Sequence, residues 1–216
     1  TNNISVGHIF MNIEKDNKNY LYWLFFENLG KRGLKETFIE YFETFEKENK
    51  NNYLIKYFND TYPSFFKYAD FKNEKQLILK SIKNESNVTL DGFLKSKSGK
   101  VLYVDLWASW CSPCRKLMPT SFKLHEELID KQIDFVYISI DDDENKWIKA
   151  AKKDNLFLDN SFIAINYPTA TFFNDIQLKA IPRYLIYDKT GKLVNSNAPS
   201  PESKEIKAEL EKYINQ

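Results

Sequence analysis

A chain of 216 residues with 43% apolar and 16% aromatic side chains is long enough for one sizeable core, or for a domain of standard size with a smaller one beside it. Its 31 basic and 30 acidic side chains leave a formal charge of +1, which gives no electrostatic reason to expect nucleic acid or an anionic membrane as partner. No run of eighteen apolar residues exists, so no helical membrane span is expected, and the chain opens at Thr1 without a basic and apolar leader, which leaves room for a signal or lipid anchor trimmed ahead of it.

From Tyr20 to about Asp70 apolar residues recur at helical spacing. The clearest set is Leu34, Phe38, Tyr41, Phe42 and Phe45, with Glu36, Glu40, Glu43 and Glu46 on the other faces. Tyr20 to Phe26 and Tyr53 to Phe58 predict two further helices, set apart by Gly30 to Gly33 and by an Asn-rich stretch at 49–52, and Pro63 ends the pattern. Residues 1–85 therefore read as a helical N-terminal extension whose aromatic rings pack it onto its neighbour, and no chemistry is assigned to it.

Near residue 86 the register changes. Val88 to Leu90 and Phe93 to Leu94 flank Asp91-Gly92 and read as short strands with a turn, and Ser98-Gly99-Lys100 leads into the apolar strand Val101 to Trp107. A helix to about Asp130 follows, then a buried strand, Ile133 to Ile140, and a helix from about Asp143 to Asp154, which together make a βαβ unit. Residues 156–180 carry mixed signals and are expected to be an insertion with one short helix near Phe172 to Leu178. Tyr184 to Tyr187 and Lys192 to Asn195 form a hairpin about the turn Asp188-Lys189-Thr190-Gly191, and a last helix spans Pro201 to Ile214.

The chemistry concentrates where the strand Val101 to Trp107 ends. The two cysteines of the chain, Cys111 and Cys114, stand two residues apart in Trp110-Cys111-Ser112-Pro113-Cys114, at the mouth of the next helix. Helix-start amides and the helix dipole stabilise a thiolate at Cys111, which makes it the nucleophile, and Cys114, one turn inward, is placed to resolve a mixed disulfide. Pro113 suits a first helical turn, and Pro119 should kink the same helix. Zinc is the rival for such a pair, but it needs four ligands and only His8 and His125 remain as soft candidates, at no finger-like spacing; no metal is expected. With both cysteines in one motif no spare thiol exists for an oxidising compartment to trap, which favours an envelope location.

Asp105 interrupts the apolar strand. Burial would raise its pKa and suit it to take the proton from Cys114, directly or through a water; the alternative is a satisfied structural acid. Trp107 and Trp110 are read as shielding and stiffening the site. The acidic run Asp141 to Glu144 is read as a helix cap with a favourable dipole rather than a metal site, and His125 as a packing or surface residue.

The block from Asp105 to Pro119 resembles the thioredoxin superfamily, and residues 86–216 resemble the TlpA/ResA-type thioredoxin-like proteins of bacterial envelopes. The resemblance implies a thioredoxin-like α/β fold, a central mixed sheet flanked by helices, with the insertion at 156–180. It also implies a cis bond at Ile181-Pro182 opposite Cys111, where Pro182 keeps metals off the thiols and the Ile181 backbone pairs with an extended partner. Two positions depart from the family pattern. Leu117 stands where a glutamate is common, and Arg183 follows the proline where threonine is usual; Arg183 either faces the dithiol, lowering its pKa or favouring acidic partners, or faces solvent.

The expected function is thiol:disulfide exchange on protein substrates, in the reducing direction, fed by an upstream thiol donor, with no cofactor beyond the Cys111–Cys114 disulfide and with Trp110, Ile181, Pro182 and Arg183 meeting the substrate. The location expected is the periplasm or bacterial cell envelope, with the cytoplasm as the alternative. The rival functions are a Cu(I)-transfer module, which no Met-rich or His-rich tract supports, and a thiol peroxidase, whose Thr-x-x-Cys pattern is missing.

Overall fold

The computed structural model describes residues 15–50, 52–63, 65–66, 74–156 and 158–215. His8 and the first residues of the expected extension lie outside them. The chain divides into two units, residues 1–71 and 72–216, and each has its own apolar core.

In the first unit the predicted helices are α1 (Lys15–Lys31), α2 (Lys35–Glu48) and α3 (Tyr53–Thr61). Gly33, at φ +68°, turns the chain between α1 and α2, and the Asn52 side chain caps α3 by accepting from the Leu54 amide at 3.0 Å. Phe26 is the hub, with ring centroids 5.1–5.5 Å from those of Phe38, Phe42, Phe45 and Phe58. The aromatic density of this segment thus builds a core. Within that core the buried acid Glu27 accepts from the Tyr57 hydroxyl at 2.9 Å and pairs with Lys31 at 3.1 Å.

The second unit is built on a seven-stranded mixed sheet: β1 (Ile78–Ser81), β2 (Asn87–Thr89), β3 (Val101–Trp107), β4 (Ile133–Ser139), β5 (Ser161–Ala164), β6 (Arg183–Tyr187) and β7 (Leu193–Asn195), in spatial order β2-β1-β5-β4-β3-β6-β7. It is flanked by α4 (Leu90–Ser96), α5 (Ser112–Glu127), α6 (Glu144–Lys153), α7 (Thr171–Asp175) and α8 (Ile206–Ile214). β3, β4 and β5 run parallel, while β6 runs antiparallel to β3, so β3 is a central strand with a neighbour of each sense. Every residue of β3 is buried, which explains its unbroken apolar reading apart from Asp105.

Four sequence expectations are corrected. The boundary falls at 71/72 rather than 85/86, because Leu77, Ile78 and Leu79 are buried and β1 pairs with both β2 and β5. Phe93 and Leu94 lie in a helix, not a strand: the Thr89 hydroxyl caps α4 by accepting from the Gly92 amide at 3.1 Å, so Asp91-Gly92 opens a helix instead of a β-turn. Residues 156–180, expected to give only one short helix, also contribute β5, paired with β4 on one side and β1 on the other. The final helix begins at Ile206, after turns at Pro201 to Lys204.

Candidate active site

The dithiol sits where β3 hands over to α5, at the carboxyl end of a central strand. The Cys111 amide donates to the Ala108 carbonyl at 3.0 Å, closing a turn that delivers Cys111 to the N-cap of α5. Its sulfur takes the place usually held by a capping oxygen and accepts from the Cys114 amide at 3.2 Å, with Pro113 in the first turn as expected. The two cysteines are joined as a disulfide with Cα atoms 5.3 Å apart. Cys111 is 4% exposed and Cys114 not at all, so a partner reaches the pair from the Cys111 side. Once reduced, Cys111 would keep both the amide and the positive end of a sixteen-residue helix beside its sulfur, the arrangement that lowers a thiol pKa.

Asp105 is 2% exposed, and among the described residues neither carboxylate oxygen has a hydrogen-bond partner. Its register partners are Tyr137 on β4 and Tyr184 on β6, and cross-strand partners share a face. The Tyr137 hydroxyl lies 3.0 Å from Ser121 Oγ on α5, so this is the face that α5 covers, and the buried Cys114 belongs to that helix. Desolvation pushes the carboxyl up from 3.8 to about 8. Burial also raises Tyr103, Tyr137 and Tyr184, with the charge of Asp105 adding to each, so the acid is surrounded by phenols that stay protonated.

Asp141 is the residue the sequence reading assigned too cheaply. The cap of α6 is Asp143, which accepts from the Asn145 and Lys146 amides. Asp141 instead is buried beside the dithiol loop, accepting from the Ser109 amide at 2.7 Å, the Ser109 hydroxyl at 2.6 Å and the Ser139 hydroxyl at 2.6 Å. The Ser109 carbonyl in turn accepts from Arg115 at 3.2 Å, and Arg115 makes a two-point pair with Asp154 at 2.6 and 2.8 Å. The loop before Cys111 is therefore tied to β4, to α5 and to the end of α6. The signal for Asp141 was its position just past the buried β4, level with the end of β3.

The remaining candidates separate. The Ile181–Pro182 and Tyr167–Pro168 bonds are cis. β6 starts at Arg183, opposite Leu106; continuing that register sets Pro182 level with Trp107, at the end of β3 that carries the dithiol loop. Trp107 is wholly buried, whereas Trp110 is 62% exposed next to Cys111. The Arg183 guanidinium is half-buried and donates to the backbone carbonyls of Ser196 at 3.2 Å and Ile176 at 3.4 Å. Leu117 packs against the core, and His125 meets the Phe135 ring edge-on at 5.0 Å. Among the described residues no cluster of metal-binding side chains is found and no helix is long and apolar enough to cross a membrane.

Comparison with known proteins agrees with this architecture. A family profile described as thioredoxin-like matches residues 99–193. The thiol-disulfide oxidoreductase ResA of a Bacillus cereus strain is 28% identical over 156 residues, covering 71% of this chain and 83% of the relative. A thioredoxin of Coprinus comatus is 40% identical over 53 residues, 24% of this chain and 50% of that protein. The crystal structure of a putative thiol-disulfide oxidoreductase from Bacteroides vulgatus superposes with a TM-score of 0.55 at 25% identity, over 64% of this chain and 92% of that one. With a dithiol capping the helix after a central strand, on a mixed sheet flanked by helices, this chain has a thioredoxin-like fold and is a thiol-disulfide oxidoreductase similar to those of the TlpA/ResA type.

Proposed function

We propose that the protein reduces disulfides in partner proteins. The Cys111 thiolate attacks one sulfur of a partner disulfide, forming a mixed disulfide and releasing the partner's other sulfur as a thiolate that takes up a proton. Cys114 then gives its proton to the ionised Asp105 carboxylate, directly or through one water, and attacks Cys111 Sγ. The Cys111–Cys114 disulfide closes and the second partner sulfur leaves as a thiolate. Two electrons pass to the partner, and an upstream dithiol restores the pair, so no cofactor beyond the disulfide itself is needed. Beside the dithiol, Trp110 offers an exposed ring, while Ile181, just outside the β6 ladder, offers backbone to an extended partner next to Pro182.

The observation that carries this reading is the Cys114 amide held on Cys111 Sγ at a helix start, with an unpartnered buried acid beneath the same helix. An envelope location is part of it, supported by the absence of any cysteine outside the motif.

Cys114→Ser should accumulate partner proteins as mixed disulfides through Cys111, which Cys111→Ser should not. The direction is read from the reduction potential: a value near that of a strong oxidase, roughly −120 mV, would replace the reductase reading with an oxidase.

A further inference from the structure

A groove opens beside Cys111, lined by Ser109, Trp110, Ser112, Lys116, Lys153 and the Arg115–Asp154 pair. Its charges do not balance. Arg115 is neutralised by the two-point pair with Asp154, whereas Lys116 and Lys153 are exposed and neither forms an ion pair among the described residues. Helix electrostatics accounts for only one of them. Lys153 closes α6, where the dipole favours a cation, but Lys116 stands early in α5, toward the end that does not. The same groove is lined by Trp110, the residue next to Cys111, which shares with Ile129 the distinction of being more than a third exposed among the large apolar side chains described in this unit. An exposed ring next to a reactive thiol, flanked by two unpaired lysines, matches an extended chain that is apolar beside its cysteine and acidic a few residues away.

We propose that this groove selects partner segments bearing an aspartate or glutamate within a few residues of the reactive cysteine, with Lys116 and Lys153 supplying the charge selection and Trp110 the contact. This rests on the exchange chemistry proposed above, though not on its direction. As charges on the rim of a docking surface, the lysines act mainly on association rate, and salt screens them.

The test uses the reduced protein and two peptides identical but for aspartates or lysines flanking one cysteine, each capped as the mixed disulfide with uncharged 2-mercaptoethanol. Second-order exchange should be about tenfold faster on the acidic peptide at low ionic strength, and the preference should shrink toward unity at about 0.5 M salt. The K116E/K153E variant, altered only at exposed positions, should invert it. Equal rates on the two peptides, or a preference that survives in the variant, would overturn the groove assignment while leaving the exchange reading standing. A protein inert toward both peptides and toward bis(2-hydroxyethyl) disulfide would overturn the exchange reading and the groove with it.

Discussion

At the scale of single residues, the site is a set of polar atoms whose surroundings decide their roles. Asp105 carries the sharpest consequence. Its carboxyl is ordinary in the unfolded chain and is raised to about 8 in the fold, so its favourable contribution is fully present below pH 4 and is lost as pH rises through 8. Across that window the native protein holds a proton that the unfolded chain has released, and stability should fall by up to about 1.4 kcal/mol per pH unit from this group alone. Asp105→Asn should remove the dependence, leaving the oxidised protein about 2 kcal/mol more stable than the native sequence at pH 8 by urea denaturation. The same variant should slow disulfide exchange about a hundredfold and flatten its pH profile near 8. A slowed rate with an unchanged profile would mean that Asp105 acts through packing alone. Asp141 predicts the opposite pattern: Asp141→Ala strands three donors and should cost about 3 kcal/mol of stability, with amide exchange at Ser109 rising. Asp105 was legible because a charge inside an apolar strand is an anomaly in one dimension. Asp141 was not, since its partner Ser109 lies in the loop after β3, which only the β3–β4 pairing brings beside it. The carbonyls that accept from Arg183, those of Ile176 and Ser196, are likewise acceptors that no sequence pattern marks.

At the scale of elements, α5 joins the chemistry to the fold, since the residue that caps it is also the proposed nucleophile. A sulfur is a weak acceptor and serine a strong N-cap, so Cys111→Ser should fold normally in a reducing buffer, within about 1 kcal/mol of the reduced native sequence. Cys111→Ala, with no cap, should melt lower by about 1 kcal/mol; equal thermal stability of the two variants would show that the cap contributes nothing. This helix and β3 were readable because local signals agreed: a prolyl first turn, a dithiol and a strand apolar except at Asp105. The elements that sequence misassigned are those where local and tertiary signals compete. Asp91-Gly92 is a good turn pair, yet Thr89 caps a helix there because Phe93 and Leu94 then reach the core. β1 and β5 are four residues each, too short to show a period, and exist because each supplies the edge the other needs.

At the scale of the whole molecule, two cores with no residue in common imply two transitions that a single substitution can separate. The place to cut is Gly30. A Cβ there would overlap the ring of Tyr62, which is itself held against Phe38, Phe58 and Phe65 at 5.3–6.3 Å between centroids and cannot swing away cheaply. Gly30→Val should therefore destabilise the helical unit by about 2–3 kcal/mol, offset only slightly by the better helix propensity of valine. The β-sheet unit has its own core, and every residue assigned to the exchange chemistry lies within 72–216. Calorimetry should show one transition moving down while the other stays, with the rate of reduction of bis(2-hydroxyethyl) disulfide unchanged at temperatures between them. If both transitions moved together, the units would be one cooperative body and the helices would contribute to holding the dithiol in place. If the transitions separated but the reduction of protein disulfides fell while that of the small disulfide did not, the helical unit would have a part in recruiting partners.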